Sequence, residues 1–190
     1  MSKLWVTGYR SYELGIFKED DEKVEVIKSV LKESLIQKIE TGVDWIITGI
    51  QFGVEQWTIE IANDLKKKYP NDFKIAVFIP FLEFNKNWNE ENRTKVKKII
   101  SYADFSTEVS KKIYNSPVQL KNYQKFMIEH SDEALLLYDP EFEGKTNYDL
   151  KKIKKYEETN VYSYELIDMD ILQEAANQIQ EQKRINKEDE

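Results

Sequence analysis

The sequence contains no cysteine and one histidine, His130. Without thiols there is no disulfide framework, no thiolate zinc or iron–sulfur site and no cysteine nucleophile. A single imidazole also leaves a His-rich metal site or a Ser-His-Asp triad with one candidate residue. Glycine and proline are sparse, six and four in 190 residues, and no internal repeat or linker divides the chain. No apolar run approaches the roughly 18 residues that a membrane span needs. The first strand-like run, Lys3-Leu4-Trp5-Val6-Thr7, follows no basic-then-apolar leader, so the expected compartment is the cytoplasm. Positive charge is in deficit: 28 Lys and Arg against 35 Asp and Glu give a net charge of −7. Counterion release needs a dense basic surface, so nucleic acid is not the expected partner.

What is present is enough apolar material for a core. Hydrophobic residues make up 41% and aromatics 13% of the chain, which excludes wholesale disorder and suits one soluble domain of this length. Five runs read as strands: Leu4 to Thr7, Trp45 to Thr48, Lys74 to Ile79, Ala134 to Tyr138 and Val161 to Leu166. Between them, Val24, Ile27, Leu31, Leu35 and Ile39 recur at helical spacing, as do Val54, Trp57, Ile61 and Leu65, then Val96, Ile99, Ile100 and Ala103. Another helix is expected from about Pro117 to His130, and a last one after Asp168, whose carboxylate is placed to cap it. Strands apolar on both faces and separated by helices imply a parallel sheet covered on two sides. The fold class is therefore α/β: a single doubly wound, Rossmann-like domain over 1–179, with a mainly parallel sheet of five strands or slightly more. The charged segment from Gln180 to Glu190 has no apolar stripe and is expected to fray or be disordered.

In such sheets ligands bind beyond the carboxyl ends of the strands, where the strand order reverses. Thr7-Gly8-Tyr9-Arg10 leaves the first strand. Gly8 lets the backbone approach an anionic ligand, and Arg10 offers a bidentate phosphate or carboxylate contact. The plainer alternative is a turn glycine with a surface arginine. Thr48-Gly49-Ile50-Gln51-Phe52-Gly53-Val54-Glu55-Gln56-Trp57 leaves the second strand and enters a helix, a close-approach loop below a positive helix end. Glu55 suits ribose hydroxyls better than phosphate, unless it merely favours the helix dipole. Trp57 continues the apolar stripe and reads as core. If Gly53 has helical backbone, Gly53→Ala costs about 1 kcal/mol of folding and mainly blocks ligand.

These residues resemble a known family. Thr7 to Phe17, Gly49 to Trp57 and Ser131 to Pro140 are similar, in that order, to motifs of the YpsA family within the SLOG superfamily, which includes the DNA-processing protein DprA and the LOG phosphoribohydrolases. The resemblance implies a Rossmann-like fold binding a nucleotide or nucleotide-derived ligand, a connection with bacterial cell division or stress signalling, and a homodimer as a common state. Carried over residue by residue, Gly8 and Arg10 match the first motif, and Gly49, Gly53 and Glu55 the second. The Pro-Gly-Gly-x-Gly-Thr-x-x-Glu cleavage motif of the LOG enzymes is absent. Tyr123-Gln124 stands where many members carry Arg-Asn: Gln124 replaces an amide contact, whereas Tyr123 cannot replace a guanidinium.

The expected ligand site thus comprises Gly8, Tyr9, Arg10, Glu13, Gly49, Gln51, Gly53, Glu55, Gln124 and Asp139. Asp139 reads equally as a ribose contact or as a turn aspartate before Pro140. Lys145 and Tyr148 follow in a loop that could close over the ligand. His130 reads as a helix C-terminal residue, and the run from Lys151 to Lys155 as a solvated helix face. Glu13, Glu19, Asp20 and Asp21 form an acidic cluster of the kind that can hold Mg²⁺ beside phosphates, but Asp20-Asp21-Glu22 fits the start of the first helix better. No cofactor and no intrinsic metal are expected. Three functions compete: a sensing or signalling module that binds a nucleoside phosphate or ADP-ribose-like ligand, an N-glycosidase-type hydrolase using Glu55 as acid or base and Arg10 on the phosphate, and a protein-interaction adaptor with a vestigial pocket. The motif pair and the missing cleavage motif favour the first.

Overall fold

The computed structural model describes residues 1–188. Six strands form one all-parallel sheet. They are β1 (Ser2–Gly8), β2 (Val43–Thr48), β3 (Lys74–Leu82), β4 (Phe105–Ile113), β5 (Glu133–Leu137) and β6 (Ser163–Ile167). The helices are α1 (Glu22–Glu40), α2 (Val54–Leu65), α3 (Glu90–Ile100), α4 (Val118–Glu129), α5 (Asn147–Glu157) and α6 (Met169–Glu188). Strand order is β4-β3-β2-β1-β5-β6. The chain winds outward from β1 to β4, then crosses back to lay β5 against the other side of β1. Right-handed crossovers require that return to use the opposite face. Accordingly α1, α2, α3 and α6 pack together on one face, while α4 and α5 pack together on the other. This is the doubly wound, Rossmann-like α/β arrangement that the alternation of apolar runs and helical stripes implies.

The sixth strand, β4, has no counterpart among the five apolar runs. Its sequence, Phe-Ser-Thr-Glu-Val-Ser-Lys-Lys-Ile, is half-buried at the middle and exposed at both ends. It lies at the sheet edge, where a strand need not be apolar on both faces and where lysines guard against further pairing. By contrast, Leu4 to Val6 in β1 and Ala134 to Leu137 in β5 are almost wholly buried, as central strands between two helical layers must be.

Helix starts follow ordinary capping. Asp21 accepts the Lys23 N–H at 2.9 Å before α1, Asn89 that of Asn92 at 2.8 Å before α3, and Asp168 that of Ile171 at 2.9 Å in the first turn of α6. In α5 only Ile153 of the lysine run is buried; Lys151, Lys154 and Lys155 are exposed, and the half-buried Lys152 donates to the Lys121 carbonyl of α4 at 3.4 Å. The segment expected to fray from Gln180 is helical: α6 continues to Glu188, with Arg184 paired to Glu181 and Glu188 at i−3 and i+4 and Lys183 reaching Glu25 of α1. Its side chains are nearly all exposed, so local pairs take the place of a buried stripe. Residues 189 and 190 of that segment lie outside the described residues. No described helix is long and apolar enough to cross a membrane.

Candidate functional site

The carboxyl ends of β1, β2 and β3 meet beside the N-terminus of α2. Gly53, the N-cap of α2, has φ +92° and ψ −128°, a region that only glycine enters without strain. A β-carbon there would lie 2.5 Å from the Ser11 nitrogen and 2.6 Å from the Tyr9 carbonyl oxygen. The same contact lets the Val54 N–H donate to the Tyr9 carbonyl at 3.2 Å, which satisfies one orphan donor of α2. Gly53 is thus the seam joining the first loop to α2. Its backbone is not helical, which removes the basis for a cost of only about 1 kcal/mol on substitution.

Glu55, two residues on in the first turn of α2, is 4% exposed. One carboxylate oxygen accepts the Thr7 hydroxyl at 3.0 Å, and the other accepts the Gln51 N–H at 2.8 Å. The carboxylate therefore ties the end of β1 to the β2–α2 loop and leaves neither oxygen without a partner from its own chain. Gly49 makes room for it. A β-carbon at Gly49 would lie 2.4 Å from Glu55 Oε2 and 2.5 Å from the Tyr123 hydroxyl. Gly8 is likewise closed in, by the Leu137 carbonyl and the Val54 side chain. All three glycines are filled over by the protein itself, so each is first a packing requirement.

Tyr123 comes from α4, on the opposite face of the sheet from α2. Its hydroxyl donates to the Phe78 carbonyl at 3.2 Å. Burial, with the nearby charges of Glu55 and Asp149, pushes the phenol well above its ordinary range, so it remains a donor. One residue on, Gln124 donates to Asp149 Oδ1 at 2.7 Å. Asp149, in the first turn of α5, is 7% exposed. Burial and, to a lesser degree, Glu55 raise its carboxyl to about 6, against the lowering effects of Arg10 and Gln124.

Arg10 faces this group from the end of β1. Its Nη1 donates to the Gly8 carbonyl at 3.0 Å. Its Nε is buried without a partner among the described residues. An unpaired buried N–H costs on the order of 1–3 kcal/mol. The cluster of Arg10, Glu55, Tyr123, Gln124 and Asp149 thus combines one guanidinium with a spare donor, two carboxyl groups, a phenol and an amide. The unused guanidinium donor could take an anionic oxygen as partner, and the amide and phenol could hydrogen-bond neutral oxygens. Gln51 lies half-exposed at its rim.

The remaining expected contacts serve the frame. The Tyr9 ring packs 5.1 Å from that of Tyr138, and its hydroxyl donates to the Phe142 carbonyl at 2.6 Å and accepts the Asp139 N–H at 3.0 Å. This fills the crevice between β1 and β5 where the strand order reverses. Burial pushes the Tyr9 phenol to about 12. Asp139 accepts the Glu141 N–H at 2.9 Å with one oxygen and the Met169 N–H at 3.0 Å with the other, so the turn reading describes it and α6 gains a cap. Glu13 accepts the Arg10 N–H with one oxygen and that of Lys145 with the other, both at 2.8 Å, which pins the loop after β5 to the first loop. Trp57 is buried core, and His130 Nδ1 lies 2.8 Å from the Phe126 carbonyl at the end of α4. Tyr148 is 69% exposed.

Sequence reasoning missed Asp149 because an aspartate in the first turn of a lysine-rich helix reads as a partner of the helix dipole. Its burial appears only once α5 packs on α4. Thr7 was quoted in the strand motif, but its bond to Glu55 spans 48 positions and no local pattern announces it.

Comparison with known proteins fits this arrangement. The chain matches the family model YpsA, described as the YspA SLOG family, over residues 4–172. It is 55% identical over 178 residues to a UPF0398 protein of Ligilactobacillus salivarius, covering 94% of this chain and 97% of the relative. It is 53% identical over 181 residues to a UPF0398 protein of Levilactobacillus brevis and 49% identical over 181 residues to one of Lactiplantibacillus plantarum, covering 95% of each chain in both cases.

Two outcomes are expected of this geometry. Gly53→Ala should destabilise the fold by about 2–4 kcal/mol, the sum of left-handed strain and a clash with backbone atoms, measured by urea denaturation; a loss near 1 kcal/mol would contradict the seam. Asp149 has a folded value above its unfolded one, so its stabilising protonated form is fully present below the ordinary aspartate range and is lost as pH rises through about 6. Asp149→Asn, which still accepts from Gln124, should therefore gain in thermal stability relative to wild type as pH rises from about 4 to 8. A stability difference that does not change over this interval would contradict the burial of a titrating carboxyl.

Proposed function

Because the chain belongs to the YpsA SLOG family, whose fold is Rossmann-like and nucleotide-related, we propose that it binds a nucleotide or nucleotide-derived anion through Arg10 and acts as a sensing or signalling module. The observation that carries this reading is the buried, unpartnered Nε of Arg10, held at the carboxyl edge of the sheet by the Nη1 bond to Gly8. A phosphate oxygen there would accept a charge-assisted hydrogen bond and cancel the cost of the orphaned donor. Tyr123, Gln124 and Gln51 supply neutral donors and acceptors around it for sugar or base oxygens. A ligand phosphate beside Asp149 would raise that carboxyl further, so binding would take up a proton near neutral pH.

Binding without turnover is favoured by the state of Glu55. Glu55 is only 4% exposed, and its two oxygens hold the end of β1 and the β2–α2 loop, so turning it toward a substrate would release both bonds. One observation supports a second reading, hydrolysis of an N-glycosidic bond. Asp149 is buried beside Arg10 with one oxygen held by Gln124, and burial pushes its carboxyl up to about 6; its protonated form would give a proton to the departing base while water adds to the anomeric carbon and returns a proton.

The two readings separate in one set of measurements. Calorimetric titration of AMP and ADP-ribose into wild type should show binding. Arg10→Lys, which keeps the charge but loses the planar fork, should weaken it by about tenfold to a hundredfold, the worth of one charge-assisted hydrogen bond. Chromatography of the same mixtures should show no free base. Equal affinity in wild type and Arg10→Lys would defeat the Arg10 site, and steady base release that disappears in Asp149→Asn would establish the hydrolase.

A further inference from the structure

A cleft of about 670 Å³ opens beside the seam, on the side of the sheet that carries α1, α2 and α3. None of Arg10, Glu55, Tyr123, Gln124 or Asp149 lines it. Its volume is that of small-molecule pockets, which fall at roughly 300–1,000 Å³. We propose that this cleft is a second, separate site, which takes a neutral nucleoside carrying an exocyclic amine; the inference does not rest on the Arg10 site.

Three observations point to that chemistry. First, several lining residues are aromatic. Phe52, backed by Trp88 with ring centroids 4.2 Å apart, and the buried Trp57 contribute one side, and Phe17 stands 81% exposed at the mouth with no other aromatic ring stacked on it among the described residues. Stacking on aromatic faces is tolerant of base identity, because every base has a π-face.

Second, a polar side chain in the floor is incompletely used. Gln56 is only 3% exposed and lines the cleft. Its Nε2 donates to the Ile50 carbonyl at 3.0 Å, which fixes the amide orientation, and no donor among the described residues reaches its Oε1. An unengaged amide oxygen on a residue lining the cleft suits an N–H donor on a ring edge, such as the amino group of adenine. Asn92, half-exposed on α3, and Asn89 add amides at the opposite wall.

Third, the charges lining the cleft cancel. Lys18 and Lys95 are matched by Glu19 and Glu91, and Lys95 is already paired with Glu19. No arginine lines the space. Little net field is left for a phosphate, so the fit is to a nucleoside, in contrast to the guanidinium-centred cluster across the seam.

Saturation-transfer NMR with adenosine at millimolar concentration tests this directly. Adenosine should bind wild type, and purine riboside, which lacks the 6-amino group, should bind about tenfold more weakly, the worth of one hydrogen bond to a buried acceptor. Asn92→Arg, on a half-exposed helical position, should fill the cleft and abolish adenosine binding, and Arg10→Lys should leave it unchanged. Absence of adenosine binding to wild type, equal binding of purine riboside, or loss in Arg10→Lys with retention in Asn92→Arg would each overturn the proposal. The comparison of the two ligands needs no variant.

Discussion

The buried carboxylate of Glu55 is the constraint around which the carboxyl edge of the sheet is arranged. It stands in the first turn of α2 and accepts hydrogen bonds from the end of β1 and from the loop that leaves β2. A carboxylate removed from water is costly unless it is hydrogen-bonded, and each bond to a charged acceptor is worth about 1.5–3 kcal/mol. Two such bonds fix where α2 begins relative to two strands. The other requirements follow. Gly49 must lack a side chain to admit the carboxylate, and Tyr123 can approach from α4 only because that space is open. Gly53 must take a left-handed conformation so that Tyr9 and Ser11 can close over the start of α2.

That closure divides the sheet edge in two. Toward α4 and α5 lies a compact polar cluster, rich in charge and centred on Arg10. Toward α1 and α3 lies an open cleft with aromatic walls and balanced charge. In many doubly wound sheets the ligand lies over the reversal of strand order. Here the corresponding crevice, between β1 and β5, is occupied by the Tyr9 side chain, which is hydrogen-bonded across it to Asp139 and Phe142. The polar chemistry is therefore displaced toward β2, where Gly49 is closed over by Glu55 and Tyr123 and the half-exposed Gln51 marks the rim of the cluster.

Much of this was legible in the sequence because the signals are local. Strands buried on both faces must be apolar throughout, so β1, β2, β3 and β5 announce themselves, and the motifs around Gly8 and Gly53 mark the ends of the first two. The edge strand β4 is silent because its exposed positions carry Ser, Thr, Glu and Lys. Roles depending on long-range partners were also hidden. Glu13 looks like a ligand contact in one dimension and Asp139 equally like a ligand contact or a turn aspartate, yet their oxygens bind backbone N–H groups of α6 and of the loop after β5. Asp149 looks like a surface residue until α4 covers it. The three glycines were read as openings toward a ligand, whereas the nearest atoms belong to the chain itself, a distinction that spacing alone cannot make.

The central claim is that the spare donor of Arg10 belongs to a nucleotide-derived anion, and its most direct measurement is mass spectrometry of small molecules released on denaturing protein purified under low-salt conditions. The account expects a phosphate-bearing nucleotide derivative in near-stoichiometric amount from wild type and a markedly smaller amount from Arg10→Lys purified in parallel. Release of no such compound from wild type, or of the same amount from both proteins, would contradict it.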